Sequence, residues 1–124
     1  MKNVDYLKKM SLFNMLNNIE IERVASIASE RFYPEGSIIF FEGEPGDAFY
    51  FLKSGRVKIS KMTPDGEEQI LKLIEPGGIF AEVVLFSEEN YPATARVLDD
   101  AKVGMIKRQD FEDLIREYPE LAIH

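Results

Sequence analysis

Few residues in this chain could do covalent or metal chemistry. The single histidine is His124, the last residue, and cysteine is absent. A serine–histidine–aspartate arrangement, or a cupin-like cluster of inward histidine metal ligands, needs a histidine held inside the fold, so both fail on inventory. Without cysteine the chain can supply no disulfide, thiolate metal site or iron–sulfur cluster, and no internal His or Cys is present to ligate haem. Carboxylates are plentiful, but Glu67-Glu68 and Glu88-Glu89 lie beside turn residues, where paired acids are ordinarily solvated charge rather than an acid–base couple. Gly43-Glu44-Pro45-Gly46-Asp47 and Pro76-Gly77-Gly78 lack the Gly-Lys-Ser/Thr ending of a triphosphate loop and the strand-to-helix setting of a dinucleotide fingerprint. They read as turns. Neither an enzyme nor a cofactor is expected.

Any remaining site must be carried by a β framework. Asn17 with Glu20 three residues later forms a variant capping box and predicts a helix start, and Ile21, Val24, Ile27 and Ala28 then recur at helical spacing. That pattern ends at Phe32-Tyr33-Pro34-Glu35-Gly36, and strands are expected after Gly36. Short β-branched or aromatic runs follow at Ser37 to Phe41, Ala48 to Leu52, Arg56 to Lys61, Gln69 to Ile74, Ile79 to Phe86, Ala93 to Val97 and Lys102 to Ile106, punctuated by Gly, Pro and Asp. Such spacing predicts a sandwich or barrel. Val57 and Ile59 alternate with Arg56, Lys58 and Ser60, as in a sheet with one solvated face. Thr63-Pro64-Asp65-Gly66 is the clearest hairpin turn. Phe111, Leu114 and Ile115 return to helical spacing, Tyr118-Pro119 ends that run, and Pro119 to His124 reads as the first turn of a further helix.

With 124 residues, 45% hydrophobic and 30% charged, the chain has the composition of one folded domain rather than of disorder. Its net charge of -7 would repel a phosphate backbone. The stretch after Met1 is broken by Asn14, Asn17 and Asn18 and has no signal-peptide core, and no run of about 18 apolar residues is present. A cytoplasmic location without membrane contact is the expectation.

The ordered series Pro34-Glu35-Gly36, Glu42-Gly43-Glu44-Pro45-Gly46-Asp47, Tyr50 to Lys58, Pro64-Asp65-Gly66 and Pro76-Gly77-Gly78-Ile79-Phe80-Ala81-Glu82 resembles the cyclic-nucleotide-binding-like domain of CRP/FNR transcription regulators. The resemblance implies a mainly β fold, a double-stranded β-helix jelly roll with flanking helices at the N- and C-terminal ends. It implies a sensor domain over residues 1–124, with the dimerisation helix and DNA-binding helix-turn-helix lying outside this chain. Tyr118-Pro119-Glu120-Leu121 resembles the family's entry into that dimerisation helix. The partners so implied are a small-molecule effector, DNA reached only through the absent domain, and a second copy in a full-length homodimer.

In cyclic-nucleotide-binding members a Gly-Glu pair opens a phosphate-binding cassette and Arg-Ser/Thr-Ala closes it, the Glu taking the ribose hydroxyl and the Arg the phosphate. Here the resemblance maps these elements onto Ala81-Glu82-Val83 and Pro92-Ala93-Thr94, with Ala in place of Gly and Pro in place of Arg. Both departures predict weak nucleotide binding. Arg96 lies on the same strand face as Pro92, but about 13 Å further along. Glu82 is expected either to meet the effector or to pair with a Lys or Arg across the sheet, while Phe80, Val83, Leu85 and Phe86 are expected in the core. Two other readings stay open: a stand-alone jelly-roll interaction module and a cyclic-nucleotide-binding regulatory domain.

Overall fold

The computed structural model describes residues 2–10, 13–85 and 89–122. Six strands pair antiparallel throughout: β1 (Ser29–Tyr33), β2 (Ile38–Phe40), β3 (Ala48–Met62), β4 (Glu68–Ile74), β5 (Ile79–Phe80) and β6 (Thr94–Lys107). Three helices flank them: α1 (Asn3–Leu7), α2 (Asn18–Ser26) and α3 (Arg108–Glu117). The cap at Asn17 is as expected: its side chain accepts from the Glu20 amide at 2.8 Å while Glu20 accepts from the Asn17 amide at 2.9 Å.

Seven short runs become fewer, longer strands. Ala48 to Leu52 and Arg56 to Lys61 are one strand, β3, and Ala93 to Val97 and Lys102 to Ile106 fall largely within β6. Between the halves the β3–β6 register shifts repeatedly, at Leu52/Ser54, Ser54/Arg56 and Arg56/Val57. Bulges therefore bend the strand where a sequence reading sees a break at Gly55. Gly55 has φ +88, and a Cβ there would meet the Ala101 Cα and the Asp99 carbonyl, each at 2.8 Å, so only glycine fits the bend. The first half of β3 pairs with β5 and with the part of β6 that also holds β1; the second half pairs with β4 and with the part of β6 that also holds β2.

Two other expectations are revised. Strands begin before Gly36, because β1 occupies Ser29–Tyr33 with mostly exposed side chains. The run Ile79 to Phe86 is strand only at Ile79–Phe80 and then turns into a 3-10 helix at Glu82–Leu85, with Phe86 outside the described residues. The hairpin turn is present, closed by the Gly66 amide on the Thr63 carbonyl at 2.9 Å and the Thr63 amide on the Glu67 carbonyl at 2.8 Å. At the far end Pro119–Ala122 forms a 3-10 turn; Ile123 and His124 lie outside the described residues.

The core is filled from β3 and β6 by Phe49, Phe51, Leu52, Val57, Val97, Val103 and Ile106. The helices close one end of it, Tyr6 stacking on Phe51 at 5.3 Å and Phe13 lying between Phe49 and Phe111 at 6.3 and 5.8 Å. The other end is open.

Candidate functional site

At that open end four rings form a platform. Phe40 stacks on Tyr91 with centroids 3.9 Å apart and on Tyr50 at 5.7 Å, and Tyr50 stacks on Phe80 at 5.3 Å. Tyr91 is fixed at three atoms: its hydroxyl accepts from the Ala48 amide at 3.1 Å and lies 2.9 Å from the Ala48 carbonyl, its amide donates to the Glu44 carbonyl at 2.8 Å, and its carbonyl accepts from the Gly43 amide at 2.9 Å. Burial pushes the Tyr91 and Tyr50 hydroxyls up from their ordinary range, so both stay protonated. The turn at Gly43 to Asp47 is thereby a structural brace. Gly46 presses against Val84 of the 3-10 helix and against the Glu89 carbonyl, which a Cβ there would meet at 2.5 and 2.7 Å. The segment entering β6 is thus held against this turn.

Above the rings opens a cavity of about 450 Å³, bounded by Phe40, Phe80 and Tyr91 below, by Ile59, Lys72, Ile74 and Ile79 from the sheet, and by Ala81, Glu82, Val83, Pro92 and Ala93 from the two cassette segments. Five of the six residues expected at the site therefore line one cavity. Thr94 is the sixth, and it does not: its hydroxyl accepts from the Glu42 amide at 2.9 Å. Val83 is not core but 42% exposed, and Phe80 is both buried and part of the cavity wall.

The two positions at which the resemblance implies a departure, Ala81 and Pro92, both line this cavity. Ala81 has φ +66, the only non-glycine residue with positive φ among those described, a conformation that glycine takes freely and alanine at a cost of about 1 kcal/mol or more. Pro92 brings neither charge nor an amide donor. Arg96 offers no substitute: it does not line the cavity, and its guanidinium donates to the Gly36 carbonyl at 3.1 Å. Glu82 is exposed and has no ion pair or hydrogen bond among the described residues, so it is not the cross-sheet ion-pair partner.

Sequence reading missed Lys72, the one cation of the wall among the described residues. In the β3–β4 pairing Ile59 faces Lys72 but Ser60 faces Ile70, leaving Leu71 as an extra residue. This bulge reverses the alternation. Lys72 joins Ile59 and Ile74 on the cavity side, while Ile70 and Leu73 join Ser60 and Lys58 on the outer side. Simple alternation would have placed Ile70 beside Lys72.

Among the described residues no group of three or more metal-ligating side chains occurs, and no helix is long and apolar enough to cross a membrane.

The family model described as "Cyclic nucleotide-binding domain" matches residues 30–118. The chain is 34% identical over 116 residues to the cyclic AMP receptor protein of Thermus thermophilus, a match covering 94% of this chain and 54% of that protein. It therefore spans about half the length of that relative. Among solved structures it is similar to the N-terminal domain of a transcriptional regulator from Streptomyces coelicolor A3(2), with TM-score 0.88, 29% identity and coverage of 96% of this chain and 83% of that one. It is also similar to the sensor domain of the transcriptional regulator DNR from Pseudomonas aeruginosa, with TM-score 0.79, 29% identity and coverage of 96% and 80%. The fold is the expected mainly β jelly roll with flanking helices.

Proposed function

The chain belongs to the cyclic nucleotide-binding domain family, and on that premise we propose that it is the effector-sensing domain of a CRP/FNR-type transcription regulator. In this reading a small molecule enters the cavity between the cassette and the sheet. Its binding controls DNA binding by a domain outside these residues and, in the full-length protein, acts within a homodimer. The observation that carries the reading is the 450 Å³ cavity walled by both cassette segments, within the range of small-molecule sites. The charge of -7 suits a division in which the DNA-facing cations lie elsewhere. A regulatory rather than catalytic role is supported by the Thermus relative, named a receptor protein, and the Streptomyces neighbour, named a transcriptional regulator.

The relative is named a cyclic AMP receptor, yet this cassette lacks the residues that hold a cyclic phosphate. A charge-assisted hydrogen bond contributes about 1.5–3 kcal/mol, so Pro92 in place of arginine forfeits roughly ten- to a hundredfold in affinity. Ala81 adds a methyl group where glycine permits close backbone approach. Titration calorimetry with cyclic AMP and cyclic GMP is therefore expected to show no saturable micromolar site. A saturable micromolar isotherm for either would make the chain a cyclic-nucleotide-responsive domain and overturn the assignment of a different effector.

A further inference from the structure

The acid-rich chain leaves one lysine of the cavity wall without an acid. Lys53 is paired with Glu30 at 2.9 Å and Lys58 with Glu68 at 3.0 Å, but Lys72 has no ion pair or hydrogen bond among the described residues. The bulge at Leu71 is the reason. Glu68, opposite Met62, stays on the outer side with Lys58 and Ser60, whereas Lys72, opposite Ile59, is turned into the cavity. The 3-10 segment after β5 brings a second charge to the lining, Glu82, which also has no ion pair or hydrogen bond among the described residues. Between them the surface is almost wholly apolar.

We propose that Lys72 is the anion-binding residue of this cavity and that the effector is an amphiphilic monoanion. Its apolar or aromatic body lies on the ring platform and its carboxylate, sulfonate or comparable group points to β4. The proposal rests on the sensor reading of the same cavity. Lys72 attracts the anion to β4, and Glu82 repels it from the 3-10 segment, so the ligand enters with its charge toward β4 rather than toward Pro92, where the resemblance places the family's arginine. Apolar walls favour such a body over a nucleotide, whose sugar and base would leave buried polar groups unpaired.

The test compares two fluorescent probes with the same aromatic body, anilinonaphthalene sulfonate and the uncharged phenylnaphthylamine, titrated into the 124-residue chain. The sulfonate is expected to bind saturably and about tenfold tighter than the amine, the scale of one charge-assisted contact in a half-open site. Lys72→Gln should abolish that preference without lowering the melting temperature, and Lys72→Arg should keep it. Val83→Trp, at the exposed mouth of the cavity, should weaken both probes. A sulfonate preference that survives Lys72→Gln, or equal binding of both probes to the unaltered chain, overturns the anion site while leaving the sensor reading in place. If neither probe binds, or if Val83→Trp changes nothing, the cavity is not a ligand site and both readings fall.

Discussion

Glu82 and Ala81 are neighbours with opposite consequences for stability. Glu82 is exposed and has no partner among the described residues, so Glu82→Ala is expected to change unfolding free energy by no more than about 0.5 kcal/mol. A loss of about 3 kcal/mol in a thermal or urea melt would instead mark a broken buried pair and move Glu82 from the site to the scaffold. Ala81 is held at φ +66, and removing its Cβ relieves about 1–2 kcal/mol of strain against about 0.5–1 kcal/mol of added chain entropy in the unfolded state. Ala81→Gly should therefore stabilise the fold by up to about 1 kcal/mol, and a fall in the urea midpoint would show that the alanine methyl contributes packing that outweighs its backbone strain. That alanine occupies this conformation at all is the kind of local cost found at functional sites.

The elements that carry polar punctuation were legible in the sequence, and those that bend were not. The Asn17 cap, the Thr63 to Gly66 turn and α3 each depend on a few neighbouring residues, which is the range over which sequence patterns speak. β1 escaped because Ser29-Glu30-Arg31-Phe32 is exposed and so shows no apolar alternation. The continuity of β3 escaped because a Gly in a strand pattern reads as an end unless the partner strand is known. For the same reason the resemblance could point to the five cassette residues that line the cavity while nothing in the sequence pointed to Lys72, its orientation being set by pairing across β3. Gly55 gives this scale its test. Gly55→Ala forces a side chain into φ +88 beside the β6 backbone and should lower stability by about 2 kcal/mol or more; a denaturant midpoint within error of the unaltered chain would show the bend to be tolerant.

At the scale of the molecule, Leu121 is only 8% exposed, and Arg23 clamps the same segment by lying 3.7 Å over the Tyr118 ring and pairing with Glu120 at 3.3 Å. These contacts tie the end of the described chain to α2. A specific dimer buries about 1,200–2,000 Å², so sedimentation of the 124-residue chain at micromolar concentration should give mainly monomer. A tight dimer would place the contact on the jelly roll and favour an interaction module. The outer face of β4, where Ile70 and Leu73 are 55% and 49% exposed, would then be the surface to change, with Leu73→Glu expected to dissociate it. The long β3–β6 pairing has its own bearing on how the molecule comes into being. Ala48 pairs with Lys107 and Ser60 with Thr94, partners separated by a quarter to nearly half of the chain. Such distant pairings place folding in the slow, millisecond-to-second regime. During synthesis, then, β3 can pair with β4 and β5 as soon as these have emerged, but its edge facing β6 stays open along its full length until Lys107 has left the ribosome.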